Sequence, residues 1–199
     1  MQRDDPVLQA FLGQQLEGAR QLERMSTVMQ LAIFDGDPPQ RYVATFHAKG
    51  LVQNRDGVQE SDLASFGIWL PDDYLRDDID LAHMPILTYL GPHPRPWHPN
   101  ILPFPPYVVC VHVAPGTPLP ALLRAAYEIH TYQLVSVGDN GLNPEASAWV
   151  RSQPAGRFPV DPRPLTGRRS GVTVRVRRST VGHETTAGTA NGPGKEERR

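Results

Sequence analysis

Between Pro85 and Pro106 the chain carries eight prolines in 22 residues, and that run limits what it can fold into more than any other feature. Proline locks φ and has no N–H to donate, so neither a helix nor a central strand can persist there. The segment must be a stiff, irregular loop, entered after a short extended stretch from Ile86 to Leu90, and regular structure has to be built on either side of it. Upstream, Asp5 and Pro6 read as an N-cap and a first helical residue. Val7, Leu8, Phe11, Leu12, Leu16, Ala19, Leu22 and Met25 then recur at three- and four-residue steps, which predicts an amphipathic helix ending near Ser26.

Val28 to Phe34 and Arg41 to Gly50 read as strands joined by the turn DGDPPQ. In the second, Tyr42, Ala44, Phe46 and Ala48 alternate with Val43, Thr45 and His47. The polar VQNRDGVQESD is expected to be a connection containing an Asp-Gly turn, before a third strand from Leu63 to Pro71. Beyond the proline-rich loop, PYVVCVHVAP predicts a brief strand with Val108, Cys110 and His112 on one face. Thr117 and Pro118 open a second helix, expected through Leu134, with Leu119, Leu122, Leu123, Ala126, Tyr127 and His130 on its apolar stripe. Asn143 and Pro144 repeat the cap-plus-proline device for a shorter helix to about Ser152. The expected class is α+β: a leading helix, an antiparallel meander and C-terminal helices.

Charge divides the chain. Residues 1–150 hold 9 Lys/Arg against 17 Asp/Glu, whereas 151–199 hold 11 against 4, so an acidic body precedes a basic tail. The expected organisation is a domain over 1–152 and a tail rich in Arg, Pro and Gly over 153–199. RFPVDPRPL (157–165) is expected to pack along the surface. From about residue 166 to the end of the chain too little apolar surface is present to offset the entropy of ordering, so most of that segment is expected to be disordered. Val172, Val174 and Val176 alternate with polar residues, which leaves open a strand added to a partner's sheet.

One cysteine excludes an internal disulfide. No apolar run approaches the roughly 18 residues of a membrane span, and no secretory pattern opens the chain, so a soluble cytoplasmic protein without membrane contact is expected. Clustered arginines without aromatic platforms argue against specific nucleic-acid binding. His83, His93, His98 and His112 have no zinc-ligand spacing, so neither a metal nor a cofactor is expected.

Cys110 alone, in a valine-rich run, reads first as a small buried hydrophobe. Its neighbours favour chemistry. Asn100, on the stiff loop before it, carries an amide donor that can face an oxyanion formed at the thiol, and Asp139 and Asn140 lie in the loop after the second helix. His112 shares the expected strand face with Cys110, which keeps a cysteine–histidine hydrolase open. Two residues of strand spacing, roughly 6 to 7 Å, nevertheless put its ring beyond direct contact.

The order of these features resembles the ubiquitin-conjugating enzyme (E2) family: LPDDYL after the meander, HPNI before a lone cysteine, then a helix and LNPEASAW. The resemblance covers roughly Asp5 to Ser152 and implies a UBC-like fold with an HPN loop beside a catalytic cysteine. It implies that Cys110 accepts a ubiquitin-like modifier as a thioester from an E1-like activating enzyme, and passes it to a lysine amine of a protein acceptor. Asn100 would stabilise the oxyanion or hold the loop, with His98 and Pro99 shaping that loop. Asp139, or Asn140, would sit at the gate that orients the incoming lysine, and the first helix would face the activating enzyme. Asn100 and Cys110 are ten positions apart, about two more than the family usually shows. RDDIDLAHMP replaces the family's proline-rich segment after LPDDYL, and no tryptophan follows the cysteine. With these departures the resemblance is to divergent, bacterial E2-like proteins. The competing reading is a catalytically silent E2-like or RWD-type domain that only binds a ubiquitin-like protein or partner. Such domains typically lack the cysteine that this chain retains.

Overall fold

The structure is a computed structural model and describes residues 5–76, 85–92, 94–111, 113–135 and 141–167. Helix α1 spans Pro6–Met25, with the Asp5 side chain accepting from the N–H groups of Val7 and Leu8 and Ser26 as its C-cap. The expected N-cap is therefore the real one, and the helix ends where expected. Its buried face is Leu8, Leu12, Gln15, Ala19 and Leu22.

Strands β1 (Met29–Gly36) and β2 (Pro39–Phe46) pair antiparallel, and β2 pairs in turn with β5 (Ala64–Trp69), which pairs with β6 (Leu87–Gly91). The sheet order is β1-β2-β5-β6. Alternation decides its faces: Tyr42, Ala44 and Phe46 of β2, Ala64, Phe66 and Ile68 of β5, and Leu87 and Tyr89 of β6 point into the core. The apolar side of α1 and of α2 (Leu119–His130) covers that face. The molecule is thus α+β, in chain order an N-terminal helix, antiparallel sheets and C-terminal helices. No described helix is long and apolar enough to cross a membrane.

Three expectations are corrected. The polar stretch after β2 is not a plain connection but a hairpin of β3 (Gly50–Asn54) and β4 (Gly57–Ser61), so the four-stranded sheet is a meander interrupted by a second sheet of order β4-β3-β7. Its third member is β7, two residues, Arg95–Pro96, which pairs with Gln53 and Val52 at the outer edge, where proline is tolerated. The valine-rich run around Cys110 is not a strand: it makes only isolated bridges, Thr88 with Val108 and Ile101 with Val109. Helix α2 begins after Thr117 and stops at His130, short of Leu134. The Thr117 hydroxyl turns back to the Ala114 carbonyl, and the Leu119 N–H is instead capped by Gln15 of α1 at 2.9 Å.

Helix α3 spans Pro144–Ser152, with the Asn143 side chain accepting from Ala146 N–H at 3.0 Å, as the sequence predicts. Residues 157–165 pack against the body, and not only along its surface. Leu165 joins the main core, Val160 and Asp161 N–H groups bond the Thr131 carbonyl, and Tyr127 donates its hydroxyl to the Arg163 carbonyl. Asp161 is buried, and burial alone would raise its carboxyl. Arg163 and the N–H groups of Lys49 and Arg163 hold it down at about 2 instead. The residues beyond Gly167, including the alternating valines, lie outside the described part of the chain.

Candidate functional site around Cys110

The edge of β6 is where the site is assembled. Tyr89 N–H bonds the Tyr107 carbonyl and Val109 N–H bonds the Leu87 carbonyl, both at 2.9 Å, so residues 107–109 lie along that edge. On their other side, Leu102 N–H bonds the Val108 carbonyl at 3.0 Å and Cys110 N–H bonds the Asn100 carbonyl at 2.7 Å. The cysteine segment is therefore held between β6 and the end of the His-Pro-Asn turn. Prolines at 103, 105 and 106 prevent this from growing into a ladder. Cys110 itself, just past the last bridge, is exposed.

Asn100 is buried, and its side-chain amide donates to the Cys110 carbonyl at 3.4 Å, a long bond. Main chain and side chain of Asn100 thus both engage the cysteine. The Asn100 N–H donates to His98 Nδ1 at 3.0 Å, which fixes the neutral tautomer with its proton on Nε2. Burial, helped by the neighbouring His130, pushes His98 down to about 3 against the opposing Leu134 backbone, and among the described residues Nε2 makes no hydrogen bond. A histidine locked neutral at physiological pH, with its ring against Tyr132 at 4.5 Å, shapes the turn and is not a general base.

Behind the turn sits a second aromatic cluster that the sequence did not announce: Trp97, Tyr132, Trp149 and Phe158. Trp97 and Trp149 meet edge to face at 6.3 Å, Tyr132 stacks on Phe158 at 4.8 Å, and the Arg95 guanidinium lies 5.6 Å from the Trp97 ring. The other flank is closed by the segment leading to α3. Asn143 N–H bonds the Pro99 carbonyl at 3.2 Å, and a Cβ on Gly141 would come within 2.5 Å of Ser147 Oγ and 3.2 Å of that same carbonyl. Only glycine fits there.

Tyr132 has a positive φ of 61°, the left-handed region, which costs a non-glycine residue about 1 to 2 kcal/mol. Its position explains the conformation. Tyr132 N–H bonds the Ile129 carbonyl and Gln133 N–H bonds the Glu128 carbonyl, the paired closure of a helix C-terminus in which glycine usually stands. No pattern in the sequence marks a tyrosine for such a place.

Of the residues singled out from sequence, the structure brings Cys110, Asn100, His98 and Pro99 together. Asp139, Asn140 and His112 lie outside the described residues, as do His83 and His93. Among the described residues no cluster of His, Cys, Asp and Glu is arranged to hold a metal ion. A groove of about 380 Å³ on the outer face of the four-stranded sheet, lined by Phe34, Arg41, Val43, Trp69 and Leu90 among others, shares no residue with the cysteine turn. Compared with protein-family models, with curated proteins and with solved structures, the chain matches none.

Proposed function

We propose that the protein is an E2-like carrier of a ubiquitin-like modifier, with Cys110 as the acceptor thiol and the His-Pro-Asn turn as its support. The observation that carries this reading is an exposed thiol whose own main chain is bonded to a buried asparagine, through Cys110 N–H to the Asn100 carbonyl and the Asn100 amide to the Cys110 carbonyl. A cysteine kept only for packing would be covered, and its loop would need no such partner.

In the first step the Cys110 thiolate attacks the modifier's C-terminal thioester on the activating enzyme. A new C–S bond forms at Cys110, the old C–S bond breaks, and the activating enzyme's thiolate leaves. In the second an amine attacks the Cys110 thioester. The C–N bond forms, the C–S bond breaks, Cys110 departs as thiolate, and the amine's proton passes to a base. Charge gathers on the acyl oxygen in the tetrahedral intermediate of amine attack, where an amide donor such as Asn100 contributes most. Asp139 is the proposed orienting acid for the amine, with Asn140 as its neighbour. Partners on this reading are the modifier, its E1-like enzyme and a lysine-bearing acceptor, in the cytoplasm.

Charging with a fluorescent modifier, ATP and the activating enzyme tests the reading. Wild type should form a thiol-labile adduct, Cys110→Ser a thiol-stable oxyester, and Cys110→Ala none. An adduct persisting in Cys110→Ala removes the cysteine from the chemistry. Binding of the modifier without any adduct favours the silent domain.

A further inference from the structure

We propose that Tyr132 is a positioning residue for the cysteine site: it holds the turn from Trp97 to Asn100 in the form that sets the Asn100 amide beside Cys110. The role in catalysis rests on the carrier reading above; the hold on the turn does not. The first observation is conformational. Tyr132 occupies the left-handed position that closes the end of α2, where glycine would meet no strain, so the side chain supplies something that glycine lacks.

What it supplies is visible in its contacts. The phenol is buried, and its hydroxyl donates to the Trp97 carbonyl, the residue that enters the turn. Its ring stands edge-on to His98 at 4.5 Å, and Phe158 stacks on it at 4.8 Å with an interplanar angle of 11°. His98 in turn accepts from Asn100 N–H, and Asn100 bonds Cys110. Each link is a direct contact, so displacement of the phenol is passed to Asn100 through His98, and from there to Cys110.

The left-handed backbone is what aims the ring at the turn. At a right-handed φ the chain would continue as helix and carry the side chain away from Trp97. Burial also holds the phenol protonated, its pKa well above the ordinary value, so the hydroxyl remains a donor across the working pH range.

Tyr132→Phe keeps the ring and removes only the bond to the Trp97 carbonyl, so the fold is retained. Two readouts decide. Amide exchange at Asn100 and Cys110 should quicken about tenfold in Tyr132→Phe while Leu123 in the core keeps its protection. In single-turnover experiments on the full chain, Cys110 should charge normally but discharge to free lysine about tenfold more slowly. That loss should vanish in an Asn100→Ala background, because the phenol acts through Asn100. A merely structural tyrosine would slow charging and discharge alike and add its effect to that of Asn100→Ala. Wild-type exchange at Asn100 and Cys110 in Tyr132→Phe overturns the proposal. If no variant charges at all, the carrier reading fails, and the exchange rates alone decide the hold on the turn.

Discussion

Lowering the pH from 7 to 5 should remove about 4 kcal/mol of stability, through two histidines buried neutral on either side of the α2 terminus. Burial pushes His98 down to about 3, helped by the proximity of His130. Burial likewise pushes His130 to about 4 against the opposing Ala48 carbonyl and Asp161. A depressed pKa means that the unfolded chain takes up protons first. The stability is fully present above the unfolded value of about 6.5 and is lost as pH falls toward the folded values. At pH 5 the unfolded histidines stand about 1.5 units below that value, and at about 1.4 kcal/mol per unit each contributes close to 2 kcal/mol of loss. Asp161, held at about 2, keeps its stabilising contribution down to the usual carboxylate range and loses it only as pH falls from there toward about 2, so it leaves this window alone. Urea unfolding at the two pH values measures the effect; with a slope of about 2 kcal/mol/M the midpoint should fall by about 2 M. In His98→Gln, whose amide oxygen still accepts from Asn100 N–H, about half of the pH dependence should disappear. Superimposable curves at pH 7 and 5, or an undiminished dependence in His98→Gln, would refute the reasoning.

Asn100→Ala should charge Cys110 while slowing discharge to an amine by about a hundredfold, the scale of one lost oxyanion donor; equal discharge rates reject that role. A chain ending at Ser152 lacks Leu165 and the buried Asp161 with its bonds to Lys49 N–H and Arg163, and should lose at least about 4 kcal/mol. A chain ending at Gly167 should unfold like the whole protein, and thermal denaturation of the two separates them. In Gly50→Ala the new Cβ would fall 2.1 Å from His130 Cε1 and 2.7 Å from its carbonyl oxygen, so a loss of about 2 kcal/mol or more is expected in the same assay.

Much of the fold is legible in the sequence because local chemistry and packing agree. Asp5 with Pro6 and Asn143 with Pro144 name their helices, and the alternation of Tyr42, Ala44 and Phe46 names the core face of β2. The differences have physical causes. The β3–β4 hairpin reads as a connection because its residues are mostly polar and β4 buries none of its five residues. The Cys110 run has strand propensity, but prolines on its flank limit it to single bridges. The expected second helix runs too long because Leu134 continues the spacing of the stripe, whereas the left-handed Tyr132 ends it. At the site, Asn100 and Cys110 are legible from motif order, and the structure brings them into contact across ten positions. The aromatic support behind them is not, because Trp97, Tyr132, Trp149 and Phe158 come from four separated parts of the chain and form no pattern along it.

On the proposed function, Cys110 carries an acyl group. Intact-mass measurement after incubation with an E1-like enzyme, a ubiquitin-like modifier and ATP, before and after added thiol, tests it most directly. An increase of the modifier's mass less one water is expected, reversed by thiol and absent in Cys110→Ala. An unmodified mass, while the activating enzyme is demonstrably charged with the same modifier, would contradict it.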